Sequence, residues 1–98
     1  MISLDDKHKH DVIRFCKFFV PDAAIYLFGS RANGTDNPRS DLDIALESAH
    51  EISHDTLMQL RDALNNTDIP FHIDIVNWNT TPASFRALNQ NDRVLLSS

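Results

Sequence analysis

Both glycines of the chain, Gly29 and Gly34, lie in one segment, Gly29-Ser30-Arg31-Ala32-Asn33-Gly34. The run before it, Ala24-Ile25-Tyr26-Leu27-Phe28, is apolar and of strand length, so Gly29 ends a buried strand. Arg31 to Thr35 has room for a short helical turn, and Thr35 to Arg39 is a loop by composition. Asp41 to Glu47 then alternates. Leu42, Ile44 and Leu46 take one face, and Asp41, Asp43 and Ala45 the other, the pattern of a half-buried strand.

The remaining chain fits helices packed on such strands. Val12, Cys16, Phe19 and Val20 recur at helical spacing and predict a first helix over Asp5–Phe19. Ser3, Asp5 and Asp6 are suited to its start, and Pro21-Asp22 breaks it. Leu57, Leu60 and Leu64 mark a second long helix that begins near Ser53 or Asp55 and ends at Asn65-Asn66. Phe71, Ile73 and Ile75 alternate with His72, Asp74 and Val76, giving a third strand. Thr81 as a cap, with Pro82 at the first helical position, predicts a last helix through Asn89. Val94-Leu95-Leu96 reads as a short terminal strand or a partner contact. Helices alternating with strands imply an α/β or α+β fold, a small mixed sheet with helices packed on it.

The 98 residues fit one domain, 1–98. Such a chain buries roughly 60–70% of its unfolded surface, enough for one core. The opening stretch MISLDDKHKH lacks the apolar segment of a signal peptide. No apolar run approaches membrane-spanning length. The one cysteine, Cys16, sits among apolar residues, as a core thiol in a reducing compartment would. A cytoplasmic protein without membrane attachment is expected. Lys and Arg number 9 against 14 Asp and Glu, for a net charge of -5. Direct nucleic-acid binding, which needs a basic face, is therefore not expected. Nucleotide binding remains open, because metal ions mediate between acidic protein and anionic ligand.

The chemistry concentrates around the glycine segment. After a strand, Gly29 lets backbone approach a phosphate, and the amides of a following helix can point at the anion. The Ser30 hydroxyl can hydrogen-bond phosphate oxygens, and Arg31 can add charge or stand solvated. Asp41 and Asp43, two apart on a strand, share a face. Their repulsion is relieved by a hard divalent cation, and Mg²⁺ is typically held by one or two carboxylates plus substrate phosphates. Asp74 joins them if its strand lies beside theirs. Taken singly these features are ordinary: a turn, a solvated strand face, an edge residue. Their order on successive elements is what makes them a site.

Other motifs fail on context. Thr35 and Asp36 follow Gly34 where a P-loop needs Lys and Ser or Thr. Leu46 stands where an EF-hand starting at Asp41 needs glycine. His50-Glu51-Ile52-Ser53-His54 is a literal H-E-x-x-H, but Ser53 or Asp55 caps a helix that would leave His50 outside it, so solvated histidines are expected. His8 and His10 do not share a helix face. His72 shares a face with Asp74, though a packed or surface role is the ordinary one. Trp78 reads as a core or interface aromatic rather than a base-stacking one.

Gly29-Ser30, Gly34, Ser40-Asp41-x-Asp43 and the later Asp74 match the signature of the DNA polymerase β-like nucleotidyltransferases. The chain resembles the minimal nucleotidyltransferases among them, the MntA-type antitoxins paired with HEPN-domain toxins. The resemblance runs from the first helix through Asp74-Ile75-Val76-Asn77-Trp78. Asn33 departs from it, since members often carry a basic residue there. The resemblance implies the polymerase β-like nucleotidyltransferase fold. It implies that Gly29, Ser30, Arg31 and Ser40 bind the nucleotide. Asp41, Asp43 and Asp74 would be the catalytic and metal-binding residues, for two Mg²⁺ ions with Mn²⁺ an alternative. The substrate would be ATP, and the acceptor a hydroxyl of a partner protein, a HEPN-domain toxin. The size of the chain fits dependence on that partner and is compatible with a homo-oligomer. Two functions follow from different classes: an antitoxin enzyme that transfers a nucleotide, and a catalytically idle subunit that silences its partner by occlusion.

Overall fold

One four-stranded sheet organises the computed structural model, which describes residues 4–37 and 39–98. Ser3, a candidate capping residue, and Pro38 of the 35–39 loop lie outside the described residues. The strands are β1 (Ala24–Phe28), β2 (Leu42–Glu47), β3 (Ile73–Asn77) and β4 (Val94–Ser97), in the order β3-β2-β1-β4. α1 (Asp6–Phe19) precedes them, and between them run α2 (Ser30–Asn33), α3 (His54–Asn65), a 3₁₀ turn (Trp78–Thr80) and α4 (Ala83–Asn89). β1 pairs antiparallel with β2 and with β4, whereas β2 and β3 are parallel. The parallel pair needs a crossover, and α3 provides it.

The alternation read from the sequence sorts side chains to two faces. Ile25, Leu27, Leu42, Ile44, Leu46 and Ile73 are fully buried on one face, against Val12 and Cys16 of α1 and Leu60 and Leu64 of α3. Burial pushes the Cys16 thiol up to about 12, against the weaker pull of Lys17, so it stays a protonated core thiol. The other face carries a smaller cluster of Phe28, Ala45 and Trp78, with Tyr26, Val76 and Phe85 packed around it. Phe28 and Phe85 meet edge to face at 5.6 Å. Asp43 belongs to this second face, two residues before Ala45.

Local chemistry sets the element ends. Ser53, not Asp55, caps α3, its Oγ accepting the Thr56 N–H at 3.1 Å. At the other end, Asn65 accepts the Ile73 N–H and donates to the Ile73 carbonyl, both at 2.9 Å. It thus satisfies edge groups of β3 as a neighbouring strand would. Pro82 occupies the cap position, and α4 begins at Ala83. The expected Thr81 cap does not form, because its hydroxyl donates to the Trp78 carbonyl at 2.7 Å and closes the 3₁₀ turn. β3 begins at Ile73 rather than Phe71, and 94–97 is a strand against β1. Among the described residues no helix is long and apolar enough to cross a membrane.

Candidate active site

Sheet register brings the carboxylates together. Asp43 of β2 is paired with Asp74 of β3 on one side and with Phe28 of β1 on the other. Asp41 precedes β2 by one residue and is exposed, as is Asp74. Asp43 is only partly exposed, and its carboxyl is held above the usual carboxylate range. Burial is the main cause, followed by the negative charges of Asp74 and then Asp41. His72 pulls the other way, so the histidine is near enough to act on the site while itself exposed. Asp74 is further fixed by the Ile75 N–H, which donates to its Oδ1 at 3.1 Å.

The glycine turn rests directly on this cluster. Gly29 has φ 75° and ψ -161°, a conformation essentially restricted to glycine. A Cβ built there would collide with the Asp43 carboxylate. Glycine is thus required twice, by its backbone and by the close approach. From this turn α2 starts at Ser30, with the Gly29 carbonyl accepting the Ala32 N–H at 3.1 Å. Gly34 ends it in the left-handed conformation at φ 80°. Asn33, the departure from the family pattern, accepts the Thr35 N–H at 3.1 Å and braces the same turn.

The donor set fits a hard divalent cation. It offers carboxylate oxygens, and the mutual repulsion registered at Asp43 is relieved by positive charge. Among the described residues no group of three or more acidic, histidine or cysteine side chains is placed to hold a metal ion by itself.

Two residues assigned to the nucleotide have other partners. Arg31 does not stand solvated: it is 6% exposed. Its Nε donates to the Ser40 carbonyl at 3.0 Å, its guanidinium lies 3.9 Å from the Phe71 ring centroid, and Asp36 lies 3.6 Å from Nη1. A buried guanidinium must be paired, and these groups do it. Ser40 closes the loop before Asp41, its Oγ accepting the Asn37 N–H at 3.0 Å. Phe71 and Asp36 were missed as parts of the site. Phe71 reads as a strand position and Asp36 as a loop acid, and neither pattern signals a buried arginine.

The H-E-x-x-H segment is split, with His50 outside α3 and His54 its first residue. His50 Nδ1 lies 2.7 Å from Asp22 Oδ2, to which the Ser48 hydroxyl also donates at 2.7 Å. Both contacts hold the Asp22 carboxyl below its ordinary range. Trp78, 3% exposed, is a core aromatic.

A glycine-serine turn lies against an Asp-x-Asp strand, with a third aspartate on the parallel neighbour, which is the arrangement that the resemblance to nucleotidyltransferases implies. Residues 11–98 match the polymerase beta, nucleotidyltransferase family, and the chain belongs to that family. It is similar to the probable protein adenylyltransferase MntA of Haemophilus influenzae, with 35% identity over 69 residues, 70% of this chain and 60% of that protein. The chain therefore spans three fifths of the length of that relative. Among solved structures, a toxin-antitoxin with AMP-PNP matches with a TM-score of 0.75 at 23% identity, over 90% of this chain and 71% of the other. A complex of a tri-AMPylated Shewanella oneidensis HEPN toxin with an MNT antitoxin matches with a TM-score of 0.76 at 19% identity, over 95% and 71%. At these identities the structural likeness is one of fold.

Proposed function

We propose that residues 1–98 form one nucleotidyltransferase domain that transfers AMP from ATP to a hydroxyl of a partner protein, a HEPN-type toxin, and so acts as its antitoxin. The observation that carries this reading is the Asp43 carboxylate, raised by burial and by Asp74 and Asp41, lying directly against the Gly29 turn. The family supplies the reaction class. The adenylyl group and the toxin acceptor are supported by the similar adenylyltransferase and by the complexes of the same fold. An unpaired, buried Cys16 suits a reducing cytoplasm.

In this reading the Gly29-Ser30 turn receives the triphosphate, with the Ser30 hydroxyl donating to a phosphate oxygen. Asp41, Asp43 and Asp74 would hold two Mg²⁺ ions, or Mn²⁺, whose charge would stabilise the developing negative charge of the transfer. Asp74, exposed on the edge strand, faces the arriving acceptor and helps its hydroxyl lose a proton. The acceptor oxygen bonds to the α-phosphorus, the bond to the bridging oxygen breaks, and pyrophosphate leaves.

Calorimetry with ATP, with and without Mg²⁺, tests the site. Binding is expected to require Mg²⁺ and to be lost in Asp41→Asn/Asp43→Asn; binding indifferent to both would contradict the site. The acid dependence has a defined sign. Asp43 takes up its proton above the usual carboxylate range, so binding of ATP with Mg²⁺ weakens as pH falls into that range. Cation and proton compete for the carboxylate, so more Mg²⁺ should move the midpoint to lower pH. A midpoint that ignores Mg²⁺ would remove Asp43 from the metal site.

A further inference from the structure

We infer that Arg31 is a positioning residue that sets Asp41 relative to Asp74 without touching the nucleotide, an inference that rests on the proposed transfer reaction. The guanidinium touches every segment that feeds the carboxylate cluster. It is rooted in α2, two residues after Gly29. Its Nε holds the carbonyl of Ser40, the residue immediately before Asp41. Its face lies on Phe71, three residues before Asp74. Phe71 is in turn met edge-on by the His8 ring of α1 at 6.0 Å, so the stack is anchored in the helix layer. Ser40 is itself fixed: its N–H donates to the Asn37 carbonyl at 3.0 Å and its Oγ accepts the Asn37 N–H. Asp36, whose side chain is 14% exposed, faces the guanidinium and balances its charge locally. A neutralised, buried guanidinium is poorly placed to clamp a triphosphate and well placed to fix two chain segments.

Only arginine meets these demands together. Its planar fork donates in fixed directions while its face stacks on a ring, whereas lysine offers a point charge on a flexible stem. Asp41 lies ahead of β2 and outside the sheet ladder. Phe71, on which the guanidinium rests, lies just ahead of the strand that bears Asp74. Asp74 is held in the ladder opposite Asp43, so the placement of Asp41 relative to it depends on contacts outside the sheet, and Arg31 supplies one through Ser40 while resting on Phe71.

The test compares Arg31→Lys, Phe71→Leu and Phe71→Tyr with the wild type. Steady-state transfer is measured with ATP, Mg²⁺ and the partner, and folding is checked by circular dichroism. Arg31→Lys is expected to lower kcat by about 100-fold, the scale of a 1 Å misplacement. It should raise the half-saturating Mg²⁺ concentration by about 10-fold or more, as loss of a residue supporting metal ligands does. KM for ATP should change by less than about threefold, since no ground-state contact is lost. Phe71→Leu removes the stacking face without touching the charge and should move the same quantities in the same directions, while Phe71→Tyr keeps the face and stays near wild type. A raised KM for ATP with kcat intact would make Arg31 a phosphate ligand and overturn the inference. So would unchanged half-saturation for Mg²⁺ in both Arg31→Lys and Phe71→Leu, the signature of a smaller folded fraction. A wild type without transfer would instead overturn the functional reading, and the inference with it.

Discussion

Asp41→Asn together with Asp43→Asn is expected to lower nucleotidyl transfer by roughly 10³-fold or more, the effect of losing several kcal/mol of metal-derived charge stabilisation. The same change should leave the fold intact and raise its stability at neutral pH. The Asp43 carboxyl is raised in the folded protein, so the folded state favours the protonated form more than the unfolded chain does. Its stabilising effect is therefore full in acid and is lost as pH rises through the folded value. Asparagine removes that dependence. In thermal melts, the variant should unfold above the wild type near neutrality, and the difference should shrink as the medium is made acidic. A variant less stable than wild type at neutral pH would mean that Asp43 supports the fold and is not held there against its own repulsion.

Gly29→Ala has the second large effect, and it falls on stability and activity together. Holding a non-glycine residue at φ 75° and ψ -161° costs about 1–3 kcal/mol. For a chain of this size that corresponds to a fall in Tm of roughly 5–15 °C. The added Cβ also meets the Asp43 carboxylate, which cannot move without leaving the position between Asp74 and the turn. Transfer should fall by about 100-fold, as for other displacements of reacting groups near 1 Å. Gly34→Ala is the control. It carries a similar backbone penalty of about 1–2 kcal/mol but no close approach to a carboxylate, so it should lose stability and retain activity. Melting curves and transfer rates on both variants check this. Gly29→Ala with wild-type transfer would show that the turn does not bear on Asp43.

What the chain disclosed before folding was local. The period-2 alternation of Leu42, Ile44 and Leu46 put Asp41 and Asp43 on one face, and the apolar run 24–28 ended where glycine was needed. Such readings use neighbours in sequence. The meeting of Asp43 with Asp74 was conditional, because it depends on a parallel register between strands separated by a helix, which no local pattern specifies. The burial of Arg31 was illegible for a related reason. A charged residue after Gly-Ser reads as phosphate-facing or solvated, and its burial depends on Ser40 and Phe71, which come beside it only in the folded chain. Thr81 could cap either of two successive turns, and the 3₁₀ turn took it.

Group transfer adds mass to the acceptor, so the mass of the partner reports it without an intermediary. The chain is mixed with Mg²⁺, ATP and a HEPN-type toxin, and that partner is weighed intact. A gain of one or more AMP units on the partner is expected, absent with Asp41→Asn/Asp43→Asn. Full neutralisation of the partner by that double variant, with no mass gain produced by the wild type, would contradict it and leave a subunit that acts by occlusion.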